Sequence, residues 1–201
     1  MVALDARPQH SSTNPACAAW RTPEISAARS HSLRTLETPL GPVEMVPAQP
    51  ADLETVAGIL EDAGRWLQAR GIDQWDAVLA PQDKERLAQR IAAGEVYLAR
   101  RTGEALGTLT LLDADVAVWG DMPGAACYIH GFAVRRSAAG LGRALLRWAE
   151  AEAQAAGKHY LRLDCWGANA ALCRYYEAAG FHSRGRHDMR GWLCALYEKQ
   201  V

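Results

Sequence analysis

The stretch RRSAAGLGRALLRWAE, Arg135–Glu150, sets two glycines one residue apart between an apolar run and an amphipathic pattern. Before it, ACYIHGFAV (Ala126–Val134) is apolar almost throughout, as a central strand covered on both faces would be. After it, Leu141, Ala144, Leu145 and Trp148 share one face at helical spacing, with Glu150 and Glu152 expected away from that face and Gly157 a natural stop. Gly140 and Gly142 lose more backbone freedom on ordering than alanines would, so their place at a strand-to-helix junction needs a reason. One reason is a helix N-terminus kept open for an anion. Its first N–H groups lack intrahelical partners, the helix dipole adds partial positive charge, and no Cβ obstructs the approach. Arg135, Arg136 and Arg143 bring further positive charge. The plainer reading is a helix-entry turn with solvated arginines.

Downstream, YLRLDC (Tyr160–Cys165) alternates Leu161, Leu163 and Cys165 with Tyr160, Arg162 and Asp164, which predicts a strand. A short helix follows from Asn169 to a Gly180 cap, and strands are expected around FHSRGR and WLCALYEK. Upstream, VEMVPAQ from Val43 reads as a first strand. PADLETVAGILEDAGRWLQARG then opens with Asp52 as a cap, places Leu53, Val56, Ile59 and Leu60 on one face and ends at Gly71. A second helix is predicted from Pro81 to about Ala93, and EVYLARR and ALGTLTLLD form a hairpin around TGE. The order β–α–α–β–β–β–α–β–α–β–β is an α/β sheet with helices around it. Residues 1–42, rich in Ser, Thr, Pro, Ala and Arg without a sustained period, are expected to form a flexible extension before a domain over 43–201.

Bulk properties narrow the function classes. With 22 Lys+Arg against 23 Asp+Glu, the chain lacks the basic excess of a nucleic-acid binder. No apolar run approaches the ~20 residues of a membrane span, and the first thirty lack a secretory core, so a cytoplasmic protein is expected. The five cysteines, Cys17, Cys127, Cys165, Cys173 and Cys194, show neither a CxxC pair nor zinc-ligand spacing, so no metal is expected.

From strand YIHGFAV through the glycine turn and its helix to N…YYEAAGF, the sequence resembles the GNAT family of acyl-CoA-dependent N-acetyltransferases. The resemblance implies a mixed, mostly antiparallel central sheet of about seven strands with flanking helices, two splayed parallel strands holding the cofactor. It implies acetyl-CoA as co-substrate and direct acetyl transfer, in a ternary complex, to a primary amine of a small molecule or peptide. A homodimer is compatible with it. The main chain of Phe132, Ala133 and Val134 would contact the pantetheine arm. The turn of Arg135, Arg136, Ala139, Gly140, Leu141, Gly142 and Arg143 would hold the pyrophosphate. Asn169 would contact the arm, or would simply cap its helix. Tyr176, four residues before Gly180, matches the family tyrosine that protonates the departing thiolate, with Tyr175 the poorer match. A backbone N–H near Phe132 would stabilise the developing oxyanion.

His130 lies inside the central strand and titrates in the useful range, so it is either the base that neutralises the amine or a hydrogen-bonded core residue. Asp113, Asp115 or a water chain stand behind it as alternatives. A covalent route through Cys127 or Cys165 has no oriented partner in the sequence. The departure from the family is Ser137, which stands where members carry Arg or Gln. That substitution keeps open a non-catalytic acyl-CoA-binding sensor or scaffold module, and a nucleotide-phosphate-binding α/β protein without CoA. On the acceptor side, RWLQARGIDQWDAV carries Trp66, Asp73, Trp75 and Asp76. These read as an aromatic, acidic wall for a cationic amine, or as core and turn residues.

Overall fold

In the computed structural model, which describes residues 34–72, 74–188 and 193–201, the strands are β1 Arg34–Thr38, β2 Gly41–Pro47, β3 Val96–Arg101, β4 Glu104–Leu112, β5 Ala126–Val134, β6 Tyr160–Trp166, β7 His182–Asp188 and β8 Leu193–Gln200. They make one sheet in the order β1-β2-β3-β4-β5-β6-β8-β7. Every pairing is antiparallel except β5 with β6. The helices are α1 Leu53–Gln68, α2 Pro81–Ala92, α3 Val116–Trp119, α4 Leu141–Ala155 and α5 Ala170–Glu177.

The sheet has eight strands rather than about seven. The additional strand, β1, precedes the Val43 start expected from sequence and pairs with β2 from Arg34↔Met45 to Thr38↔Gly41. Five residues, RTLET, are too few and too polar to show a period of two, so the strand is defined by its turn: Gly41 takes φ 92° and the Thr38 hydroxyl donates to its carbonyl at 2.7 Å. Residues 1–33 of the expected extension, and Trp192 of the last predicted strand, lie outside the described residues.

Alternation sorts the core into two layers. Tyr97, Ala99, Cys127, Ile129, Leu161, Leu163 and Cys165 face α4 and α5, while Val96, Leu98 and Ala105 face α1 and α2. Ala126 and Tyr128 face the α3 end of the second side with Val118 and Trp119. On α4, Leu141, Ala144, Leu145 and Trp148 are buried as predicted. Glu152, expected outside, is buried as well at 8% exposure. Asp52 does not cap α1 through its side chain; its carboxylate accepts from the Gln49 N–H at 2.9 Å and pairs with Arg100.

Arg162 departs furthest from the exposed half of an alternating strand. It is 1% exposed, pairs with Glu198 at 2.8 Å, and donates to the carbonyls of Met122 and Pro123 and to the Tyr128 hydroxyl. A buried guanidinium persists only when its donors are satisfied, and here that requirement fastens the segment after α3 to the sheet.

Two irregularities open the sheet where it matters. β5 and β6 pair only from Ala126↔Tyr160 to Ile129↔Leu163, and beyond that point neither strand pairs with the other. On the other edge of β5, Thr108 faces Ala133 but Thr110 faces His130, so β5 carries one extra residue there, with Gly131 at φ 52°. That bulge switches which face each side chain takes: Ala133 joins the α1/α2 side and Phe132 and Val134 the α4 side.

Candidate active site

A cleft of about 510 Å³ follows the parting of β5 and β6. It is lined at one end by Arg136, Ala139, Gly140 and Gly142, in its middle by Gly131 to Val134 and Asn169, and at its far end by His130, Asp164, Cys165 and Tyr176. Segments distant in sequence thus share one continuous wall.

At the first end, Gly140 is the N-cap of α4 at φ 95°, a left-handed conformation that makes glycine the fitting residue there. A Cβ on Gly140 would meet nothing within 4 Å, so the mouth of the helix is open beside it. Gly142 is needed for a different reason: a Cβ there would lie 2.6 Å from the Tyr175 hydroxyl and 3.4 Å from the Phe132 ring. Tyr175 therefore narrows the opening on one side without closing it. The arginines are committed in separate ways. Arg135 donates to the Ala105 carbonyl at 3.0 Å and pairs with Asp62 at 2.6 Å; Arg136 lies 4.2 Å over the Trp66 ring. Arg143 and Leu141 do not line the cleft: Arg143 donates to the Ala178 carbonyl at 2.7 Å and covers Tyr175, and the Leu141 side chain is core. Only their main chain belongs to the first turn. Ser137, in a 3₁₀ turn over Arg136–Ala138, is exposed and off the cleft.

In the middle, the backbone of Phe132, Ala133 and Val134 lies past the last β6 pairing, so its edge toward β6 has no strand partner. Asn169 does both things its type allows. Its Oδ1 accepts from the Leu172 N–H at 3.1 Å as the N-cap of α5, and its Nδ2 donates to Gln74 at 3.1 Å on the cleft wall.

At the far end, Tyr176 is 6% exposed, with its ring edge-on to Phe181, and burial pushes its pKa well above the usual phenol value. Opposite, His130 Nε2 is 3.1 Å from Asp115 Oδ2, and its Nδ1 is 3.9 Å from Asp164 Oδ1. Burial alone would lower the His130 pKa, but the Asp115 hydrogen bond and the charges of Asp115 and Asp164 outweigh it and raise it. Burial, together with the neighbouring Asp115 charge, raises Asp164 despite the opposing pull of His130. Asp113, an alternative to His130 in sequence, is paired with Lys158 at 2.9 Å. Cys127 is fully buried away from the cleft. Cys165 lines it, but burial raises its pKa far above the ordinary thiol value, against a thiolate nucleophile.

On the acceptor side Trp66 lines the cleft, with Arg70 at 4.1 Å and Arg136 at 4.2 Å from its ring centroid. Trp75 and Asp76 do line the cleft, with Leu60, Leu79 and Leu87, whereas Asp73 lies outside the described residues. Sequence reasoning did not select Asp164, Gln74 or Tyr175 as site residues. For Asp164 a signal existed: it falls on the polar phase of a strand whose neighbours are all apolar or buried.

A sheet parted between two parallel strands, with a glycine-mouthed helix at the parting, is the architecture of an acyl-CoA-dependent acyltransferase. The model of the acetyltransferase (GNAT) family matches residues 60–181, and the chain belongs to that family. It is 33% identical over 162 residues to the uncharacterized N-acetyltransferase YesJ of Bacillus subtilis (strain 168), covering 77% of this chain and 88% of the relative. A GNAT-family acetyltransferase crystal structure from Listeria monocytogenes 4b F2365 superposes with a TM-score of 0.71 at 27% identity, over 84% of this chain and all of that one (100%). The fold is shared too by yncA of Salmonella typhimurium, solved with its cofactor acetyl-CoA, with a TM-score of 0.56 at 21% identity over 79% of this chain and 93% of that one.

Proposed function

We propose that this enzyme moves the acetyl group of acetyl-CoA directly to a primary amine of a small molecule or peptide, with both substrates bound at once. The observation that carries the reading is the continuity of the cleft from the mouth of α4, along the free edge of β5, to Tyr176 and His130. The residues fit the coenzyme: the open αL mouth at Gly140 suits a diphosphate, and the unpartnered edge of β5 suits an arm that bonds to main chain. Bound there, acetyl-CoA supplies an activated thioester.

Around it the chain's own groups divide the work. The first N–H groups of α4 and Arg136 hold the diphosphate. The main chain of Phe132, Ala133 and Val134 aligns the arm, and an N–H beside Phe132 faces the charge that develops on the acetyl oxygen. Tyr176, whose high pKa keeps its hydroxyl protonated, donates to the departing sulfur. His130 takes the proton that the attacking amine must lose. The described cysteines are free and buried, which supports a reducing compartment and so the cytoplasm.

The test is acetyl-CoA-dependent release of free thiol across a panel of primary amines, with both substrates varied. Intersecting initial-rate patterns are expected. Parallel patterns, or acetyl retained on the protein, would replace direct transfer with a covalent route.

A further inference from the structure

Asp115, His130 and Asp164 bring one ligand-type atom each within 4.8 Å of one another, from the loop before α3 and from strands β5 and β6. His130 and Asp164 fall in phase with Tyr128 and Trp166, which belong to the α3 end of the second side, whereas Tyr176 belongs to the core on the α4/α5 side. Their exposures differ in a telling way. The Asp115 side chain is 1% exposed and does not line the cleft, while those of His130 and Asp164 are each 8% exposed and do.

We propose that Asp115 is a positioning residue holding His130 from behind, and that Asp164 and His130 Nδ1 together receive the acceptor's ammonium in the cleft. This rests on the acetyl-transfer reading above. A carboxylate can only accept, so Asp115 at 3.1 Å fixes the proton of neutral imidazole on Nε2 and leaves the Nδ1 lone pair toward Asp164 and the cleft. The second Asp115 oxygen, Oδ1, is buried without a hydrogen-bond partner among the described residues, so the carboxylate is under-compensated and favours a cation beside it. Two protons leave the nitrogen. First, an N–H bond of the ammonium breaks, its electron pair becomes the lone pair that attacks, the proton forms Nδ1–H, and the positive charge passes to an imidazolium lying between two carboxylates; the second N–H proton, lost as the C–S bond breaks, replaces the one that Tyr176 gives to the departing sulfur.

The surroundings name the acceptor class. The cleft lining also holds Leu60, Ile72, Trp75, Leu79 and Leu87, beside two further carboxylates, Asp76 and the Asp83 that pairs with Arg86 at 3.0 Å, so the amine is carried on a mainly apolar body. Other charged or titratable groups facing the unit are Arg90 of α2, itself paired with Glu95 at 2.8 Å, Cys194 of β8, 3.6 Å from Asp164, and Cys165 and Tyr176, which feel the Asp164 charge. Arg90 opposes the imidazolium but is neutralised by its own partner.

The experiment reads the ring directly and needs no turnover. In the full chain labelled with ¹⁵N-histidine, the His130 signal is assigned by its loss in His130→Gln. Expected are the Nε2–H tautomer and a pKa above the ordinary histidine value of about 6.5. Asp115→Asn, which keeps an oxygen for Nε2–H but removes the charge, should lower that pKa by about one unit or more. 2-Phenylethylamine should shift the His130 signals in the native protein and in Asp115→Asn, and not in Asp164→Asn. An Nδ1–H tautomer, or a pKa unmoved in Asp115→Asn, would overturn the positioning role. Equal shifts with Asp164→Asn, or stronger shifts with spermidine than with 2-phenylethylamine, would overturn the acceptor assignment. A native protein that releases no thiol with any amine would instead remove the acetyl-transfer reading, whatever the ring shows.

Discussion

The two ends of the cleft are built on different principles. The end proposed for the diphosphate is one unbroken segment, Arg135–Arg143, and would work through main chain: an αL glycine, open N–H groups and a helix dipole. The end proposed for the chemistry brings together Asp115, His130, Asp164 and Tyr176, four buried or nearly buried side chains on separate segments, the first three held by one another. Damage to the first should weaken binding in proportion to the backbone disturbed. Damage to the second should leave binding nearly intact and remove rate.

The largest effect is expected from Tyr176→Phe. Loss of a positioned general acid costs roughly 10²–10⁴-fold in rate, so kcat for thiol release should fall within that range. Among the described residues no hydrogen bond is made by the Tyr176 hydroxyl, and its ring packing survives the change, so Tm and the Kd for CoA by calorimetry should hold. A variant with native kcat would show that the proton reaches sulfur from elsewhere.

Gly64→Ala tests the acceptor wall from behind. Its Cβ would fall 2.1 Å from the Asp76 carbonyl oxygen, a main-chain atom that cannot swing aside, so the segment between α1 and α2 must shift. Overpacking of this kind costs about 1–3 kcal/mol, which thermal unfolding would detect. The KM for the amine should rise, with the CoA affinity unchanged. A parallel loss of CoA affinity would mean that the two ends are mechanically joined.

This contrast also explains what could be read in the sequence. Strand β5, helix α4 and the Asn169 cap were legible to within a residue or so because their signals are local: an apolar run, a 3.6 period, a capping residue. Strand β1 was not, since five residues carry no period and pairing alone defines them. His130 was visible as a candidate base, with Asp113 and Asp115 only as alternatives to it; which of the two would lie beside its ring could not be chosen. That choice depends on how the segment after β4 folds over the sheet, and a buried Arg162 that looked solvent-facing by alternation helps to set it. Arg143 shows the same limit: its charge is visible in sequence, but its hydrogen bond to the Ala178 carbonyl is not.

The two glycines give a finer cut within the diphosphate end. Gly142→Ala places a methyl group 2.6 Å from the Tyr175 hydroxyl, which must move into the space beside the helix mouth. The Kd for CoA should rise by about tenfold, equivalent to ~1.4 kcal/mol. Removing the displaced hydroxyl in Gly142→Ala/Tyr175→Phe should recover most of it. Gly140→Ala has open space but a φ of 95°, so its cost should appear as lost stability of about 1 kcal/mol that no second substitution at Tyr175 repairs. Identical behaviour of the two variants would erase the distinction between a packing glycine and a backbone glycine.

The smallest effect belongs to Arg143, and it is the one on which charge counting and geometry disagree most plainly. As a cation in the first turn of α4 it looks like a phosphate ligand. Its guanidinium, however, already donates to the Ala178 carbonyl at 2.7 Å and lies 4.9 Å over the Tyr175 ring, outside the cleft lining. Its remaining influence on a diphosphate is a screened field from the far side of Tyr175, which at physiological ionic strength fades over about 8 Å. Arg143→Ala should therefore change the Kd for CoA by no more than about threefold, about 0.6 kcal/mol, with weak salt dependence. Arg136→Ala, at a residue that lines the cleft, should cost more and lose that excess in high salt. If the order were reversed, the guanidinium of Arg143 would have to leave Ala178 when the coenzyme binds, and the diphosphate end would then depend on side chains as much as the chemical end does.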